Sequence, residues 1–331
     1  MVQRKPKVVI TDYDFPSVST EKAILEKAGA DVIEGHCKTE NDVIKVAFDA
    51  DAIINQYVVI TRGIIENLQN CRIIVHYGIG VDKVDVEAAT EHGIYVANIP
   101  DYCVDEVSSH AMALILDCTR KIVLLNNALK RGQWDFKLAQ PIRRISMLTL
   151  AIAGFGKIAG ALAEKARGFG LRRILAHDPY VSPEAGKQFG VEMVDMTEFL
   201  EEADILSIHL PLTKETKHMF GEKEFQMMKK SAIIINTSRG AIIDEVALIK
   251  ALRKGQLAGA GLDVFEKEPA SFSNPLLRME NVVVTPHVAW YSEESFQDLQ
   301  QTAAEEVARV LHGKIPNSLV NREVIEYGRS R

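Results

Sequence analysis

Leu148–Gly160 reads LTLAIAGFGKIAG, and this stretch decides the fold. An apolar run, Thr149 to Ala153, stops at Gly154. Gly156 follows after one residue, and the small Ala159 takes the third position of a GxGxxG/A pattern. The spacing predicts a strand, a tight turn and a helix opening near Lys157. The first glycine lets the chain turn sharply, the second admits a pyrophosphate close to the backbone, and the small third residue lets helix and strand pack. Backbone N–H groups at the positive end of that helix then face the phosphates, so Gly154, Phe155, Gly156, Lys157 and Ile158 are the expected cradle. About twenty residues on, the next apolar run ends in Asp178, where a doubly wound fold places the carboxylate that bonds the ribose 2′-hydroxyl. No Arg or Ser follows Asp178; Pro179 and Tyr180 do. A carboxylate there repels a 2′-phosphate, so NAD is expected over NADP.

Outward from this turn the pattern repeats. Short apolar runs at Ile174–His177, Ile205–His209, Ala232–Asn236, Gly259–Val264 and Val282–Thr285 alternate with helical stretches. Before it lies a similar series: Lys7–Thr11, Ala30–Ile33, Ala52–Asn55, Ile73–Tyr77 and Tyr95–Asn98. Strand alternating with helix means parallel sheets covered on both faces. The expected fold class is α/β, two Rossmann-like or flavodoxin-like parallel-sheet domains with a cleft between them. Pro100 to Cys103 breaks the series. From Val104 to about Arg131 apolar residues recur at helical spacing without Gly or Pro, which predicts one long helix. Another helix is expected over Glu293–His312.

Composition narrows the function. A chain of 331 residues with net charge -6 has no basic footprint for nucleic acid. Its four cysteines, Cys37, Cys71, Cys103 and Cys118, form no CxxC pair and no zinc spacing. No metal is expected. The start, MVQRKPKVVI, lacks the apolar core and cleavage site of a signal peptide, and no apolar stretch approaches the roughly 20 residues of a membrane span. A cytoplasmic protein that does not engage membranes is the expectation.

Three segments carry polar residues at the ends of apolar strands: AIIINTSRGAIIDE (Ala232–Glu245), GAGLDVFEKEP (Gly259–Pro269) and VVVTPHVAW (Val282–Trp290). A buried strand ending in N-T-S-R-G adds little to stability, whereas strand carboxyl ends in open α/β sheets are where ligands bind. Together these segments resemble the D-isomer-specific 2-hydroxyacid dehydrogenase family. Met228 to Asp244 resembles its most diagnostic signature, with Asn236, Arg239 and Gly240 in place. The likeness extends to HYGIGVDKVD (His76–Asp85) and NIPDYCVDEV (Asn98–Val107). TPHVAWYSEES and KIPNSLVN look closest to the C-terminal-binding-protein branch and its bacterial relatives.

The resemblance implies that the last helix crosses back, giving a substrate domain of residues 1–102 plus 293–331 and an NAD-binding domain of 103–292. It also implies reduction of a small 2-keto acid to a D-2-hydroxy acid, with Arg239, Glu268 and His287 as the catalytic group. The chemistry agrees. Arg239 presents a planar fork that can clamp a carboxylate. His287 is the natural proton donor near neutral pH. Glu268, hydrogen-bonded to the other imidazole nitrogen, would fix the tautomer and favour the imidazolium.

By the same resemblance Asp263 accepts from the nicotinamide carboxamide, Thr237 and Ser238 lie by the ring, Leu210 and Pro211 border the adenosine, and Ala289 is a further cofactor contact. The segment His76, Tyr77, Gly78, Ile79 and Gly80 is expected to bind the substrate, its glycine N–H groups meeting the carboxylate. His76 stands where many relatives carry Arg. Trp290 is expected to wall the substrate side-chain pocket. The long helix and Trp134 resemble the family's dimer arm, so a homodimer is expected. Two other readings remain at this point: an NAD-sensing corepressor-like binding protein, and a phosphoglycerate dehydrogenase-type enzyme. The binding protein would carry long tails, and the chain starts almost at strand one and ends soon after the last helix.

Overall fold

The computed structural model describes residues 4–326. The chain forms two compact units: one runs to Tyr102 and resumes at Ser292, the other is Cys103–Tyr291. Each is built on a wholly parallel sheet.

The first unit holds five strands: β1 (Lys7–Ile10), β2 (Asp31–Glu34), β3 (Ala52–Asn55), β4 (Ile73–His76) and β5 (Tyr95–Ala97), in the order β2-β1-β3-β4-β5. β3 and β4 are buried along their whole length, as sheets covered on both faces require. The helices Ser19–Lys27 and Glu293–Leu311 pack together, and the second also packs on β4. That second helix opens on a reciprocal cap, in which Ser292 Oγ accepts from Ser295 N (2.9 Å) while Ser292 N donates to Ser295 Oγ (2.8 Å). Buried polar groups tie it in. Gln300 Nε2 donates to Glu21 at 2.9 Å, and the Tyr77 hydroxyl donates to the same carboxyl at 2.6 Å. The chain beyond is held by Asn321, whose Oδ1 accepts from Val96 N (2.8 Å) and whose Nδ2 donates to Ile94 O (2.9 Å).

The second unit holds seven strands: β6 (Thr149–Ala153), β7 (Arg173–His177), β8 (Glu192–Met193), β9 (Ile205–Ile208), β10 (Ile233–Asn236), β11 (Gly259–Leu262) and β12 (Val282–Val284), in the order β12-β11-β10-β9-β6-β7-β8. Strand order reverses between β6 and β9, so this unit has a topological switch point at their carboxyl ends. The helix Lys157–Gly168 covers one face and packs against Val104–Arg120. β8 was not read from the sequence; it is a two-residue edge strand with no apolar run to mark it.

One expectation fails. The stretch from Val104 to Arg131 is two helices, Val104–Arg120 and Ile122–Lys130. Between them Lys121 is left-handed, φ 55°. Asp117 makes the break. Its carbonyl accepts from Lys121 N, and its carboxylate accepts from Val123 N at 2.8 Å, satisfying an orphan donor of the second helix. Neither Gly nor Pro is needed.

Candidate active site

The glycine turn, Asp178 and the segments after β9 to β12 as far as Trp290 all belong to the second unit. The glycine turn is built as its spacing implies. Gly154 follows β6 with φ +80°, a region that a side chain strains. A Cβ there would also stand 2.8 Å from Leu210 Cδ2 and 2.9 Å from the His209 carbonyl oxygen. The turn after β6 is thus pressed against the chain after β9, at the switch point. Around Gly156 a Cβ would meet nothing within 4 Å, leaving room above the helix N-terminus for a bulky anion. Asp178, after β7, accepts from Phe155 N (2.9 Å) and Tyr180 N (2.9 Å), so the carboxylate is locked to the turn it serves. Burial pushes the His209 imidazole down to about 4, leaving it neutral, and its Nε2 pairs with Ser207 Oγ at 2.8 Å. That gives His209 a structural rather than a chemical part.

β10 delivers the Asn236–Gly240 turn. Asn236 is fully buried and shapes it: Oδ1 accepts from Ser238 N (3.0 Å) and Oγ (3.1 Å), and Nδ2 donates to Arg239 O (2.9 Å). Gly240 then passes so close to the chain after β11 that a Cβ would fall 1.9 Å from the Phe265 carbonyl carbon. Only glycine fits, and the contact brings Arg239 beside the segment carrying Glu268. The Thr237 hydroxyl is buried without a hydrogen-bond partner among the described residues. Such a group is rare unless a ligand or water completes it.

Glu268 Oε1 accepts from Phe265 N (2.9 Å), and Oε2 meets His287 Nδ1 at 2.7 Å. Partial burial raises the Glu268 carboxyl, but the His287 bond and charge, the Phe265 N–H and the Arg239 charge outweigh it and hold it below the usual carboxylate range. The carboxylate is therefore ionised at neutral pH. Its acceptor role places a hydrogen on Nδ1 of His287, so Nε2 is the ring nitrogen that can give or take a proton.

His287 is itself left-handed, φ 54°. A non-glycine residue in that region stores strain and persists only where its surroundings over-determine it. Here they do. His287 N donates to Asp263 O (2.7 Å), Trp290 Nε1 donates to His287 O (3.0 Å), and the buried Asp263 carboxylate accepts from Val288 N (2.9 Å) and Ala289 N (2.9 Å). Thr285 Oγ1 donates to the same carboxylate at 2.5 Å. The expected partner of Asp263 was a carboxamide; the structure gives its carboxylate three partners from its own chain. Trp290, expected as a pocket wall, spends its ring N–H on the histidine segment. Thr285 and the Asp263 contacts were not legible as such, since no local spacing marks a bond between residues 22 to 26 apart. Of the remaining expected positions, all in the first unit, His76 closes β4 and Tyr77 to Gly80 follow it directly. Gly78 there has φ +153°, and a Cβ would stand 3.3 Å from His76 Nε2.

These observations fit a dinucleotide: an open helix N-terminus, a glycine of positive φ at the switch point, a carboxylate bonded to that turn and an orphaned buried hydroxyl. Comparison with known proteins agrees. Residues 112–289 match the family model described as D-isomer specific 2-hydroxyacid dehydrogenase, NAD binding domain. The chain is 40% identical over 329 residues to a glyoxylate reductase of Korarchaeum cryptofilum, covering 97% of this chain and 98% of that protein. It is 38% identical over 318 residues to a D-3-phosphoglycerate dehydrogenase of Methanocaldococcus jannaschii, covering 95% of this chain and 59% of that one. Among solved structures, a D-lactate dehydrogenase from Aquifex aeolicus complexed with NAD and lactic acid superposes with a TM-score of 0.83 at 26% identity, covering 97% and 98% of the two chains.

Proposed function

We propose that this chain, which belongs to the D-isomer specific 2-hydroxyacid dehydrogenase family, is a reductase of small 2-keto acids, with glyoxylate as its substrate type. It is an NAD-dependent oxidoreductase that interconverts a 2-keto acid and a D-2-hydroxy acid. The observation that carries the assignment of roles is the 2.7 Å bond from His287 Nδ1 to Glu268, with Arg239 acting on the same carboxylate.

The nicotinamide, when bound, supplies the hydride. Gly154 to Ile158 and Asp178 hold its dinucleotide, with Leu210, Pro211, Thr237, Ser238, Asp263 and Ala289 completing the surroundings. Arg239 binds the substrate carboxylate through its guanidinium fork. His287 gives a proton from Nε2 to the carbonyl oxygen as the alcohol forms, and takes one back in oxidation. Glu268 keeps the imidazole oriented and offsets its positive charge. His76 to Gly80 and Trp290 contribute the remaining substrate contacts in this reading.

Spectrophotometric NADH oxidation against glyoxylate, hydroxypyruvate, pyruvate and 3-phosphohydroxypyruvate tests the proposal. Turnover of glyoxylate with the highest kcat/KM supports it. A preference for 3-phosphohydroxypyruvate would move the chain to the phosphoglycerate dehydrogenase type. NADH binding with no turnover of any keto acid would move it to an NAD-sensing binding protein.

A homodimer belongs to the same proposal. In the second unit Trp134 is 89% and Phe136 73% exposed, near Ile122, Val123 and Leu129, which are exposed as well. A monomer with so many exposed large apolar groups is uncommon, and a second copy would cover them. Light scattering at micromolar concentration should give twice the chain mass, and Trp134→Glu should give the monomer. A wild-type monomer refutes it. The cytoplasm is the proposed compartment. All four cysteines are buried and none of them forms a disulfide among the described residues, as suits a reducing environment. Among the described residues no helix is long and apolar enough to cross a membrane.

A further inference from the structure

His110 lies on the helix Val104–Arg120, far in sequence from the proposed catalytic residues. Its Nε2 lies 3.0 Å from Thr285 Oγ1 and 3.7 Å from Asp263 Oδ1. The direction of the bonds follows from counting hydrogens. Thr285 has one hydroxyl hydrogen, and the carboxylate 2.5 Å away can only accept, so that hydrogen goes to Asp263. Thr285 Oγ1 must then accept from His110, and the hydrogen on His110 sits on Nε2. The result is a one-way chain: His110 Nε2–H to Thr285 Oγ–H to Asp263 Oδ1. The same carboxylate receives Val288 N and Ala289 N, the two donors that follow the strained His287.

We propose that His110 is a positioning residue for the proton donor: through Thr285 it orients the Asp263 carboxylate that holds His287 in its left-handed conformation. The proposal rests on the reading of His287 as the donor. A buried carboxylate with fixed donors on both oxygens resists rotation. Take away the His110 bond and the Thr285 hydroxyl is free to turn, the carboxylate loses an anchor, and the strained segment can relax. The imidazole would still be present, but displaced from the reacting oxygen. A displacement on the order of 1 Å is enough to lower a rate strongly. NADH affinity, set mainly by the glycine turn and Asp178, should barely change.

Four variants test this: His110→Phe, His110→Gln, Thr285→Val and Thr285→Ser. Three measurements are made on each: steady-state kinetics for kcat and KM with glyoxylate, fluorescence titration for the NADH dissociation constant, and amide hydrogen exchange at Val288 and Ala289 in the ligand-free protein. His110→Phe and Thr285→Val should lower kcat by about tenfold or more while the NADH constant stays within about twofold. Exchange at Val288 and Ala289 should quicken in both. His110→Gln and Thr285→Ser keep a donor and a hydroxyl, and should recover most of kcat and of the protection. Thr285→Val is nearly isosteric, so it reads the link even if the phenylalanine variant folds poorly. Unchanged kcat and unchanged exchange in Thr285→Val would overturn the proposal. So would a loss of kcat that the glutamine and serine variants share, since that would be lost packing rather than a lost bond. A wild-type chain that turned over no keto acid would sink the reductase reading, yet the exchange measurement would still decide whether His110 holds the segment.

Discussion

The glycine turn after β6 and the histidine segment after β12 sit at strand ends of one sheet, yet they are built by opposite means. The turn is made of backbone. Gly154 accepts its φ of +80° without strain, Gly156 leaves open space, and one carboxylate, Asp178, bonds the neighbouring N–H. The histidine segment is made of side chains holding a backbone that would rather be elsewhere. His287 at φ 54° is kept by Asp263, Trp290 and Thr285. A surface that receives a ligand can be permissive, whereas a group that must meet one atom of a substrate is over-determined.

The comparison breaks most directly at the donor. His287→Ala should lower kcat/KM for reduction by roughly 100-fold or more at every pH, with NADH affinity little changed, because no general acid remains. Steady-state kinetics and fluorescence titration check this; a loss under tenfold would mean that another group delivers the proton. The turn should respond in the complementary quantity. Wild type should prefer NADH to NADPH by about an order of magnitude in kcat/KM, since a like-charge contact of the Asp178 carboxylate with a 2′-phosphate costs on the order of 1 to 3 kcal/mol. Asp178→Ala should narrow that ratio and leave saturated kcat nearly intact. Equal use of both cofactors by wild type would remove Asp178 from its assigned place.

The same contrast explains what could be read from sequence. The turn and its acid were legible because a local spacing encodes them, and the strands other than β8 were legible because they are short, mostly apolar runs between helical stretches. Arg239, Glu268 and His287 were legible only by resemblance. Their association depends on Gly240 meeting Phe265 and on Asp263 reaching Thr285, Val288 and Ala289, contacts that follow from the packing of β10, β11 and β12. His110 was silent for the same reason: on a helix its spacing looks like any partly buried residue. The break at Lys121 was missed because Asp117, not a glycine, supplies the cap.

Glu268 also gives the pair a sign in stability. Its folded carboxyl is lowered, so its contribution is present above the ordinary carboxylate value of roughly 4.3 and is lost as pH falls through the lower folded value. At neutral pH it is therefore a fixed negative charge on Nδ1 of His287, and this is the central claim about the site. The measurement that tests it most directly is the pH profile of kcat/KM for keto-acid reduction with NADH, for wild type and Glu268→Gln. Reduction consumes a proton, so each profile should fall on the alkaline side, and oxidation of the hydroxy acid should show the opposite limb. Glutamine keeps the shape and can keep a hydrogen bond but removes the charge, so the alkaline limb of reduction should move to lower pH while activity well below it is partly retained. An alkaline limb that stays where wild type has it would contradict the account, and would leave Glu268 a loop carboxylate that does not tune the donor.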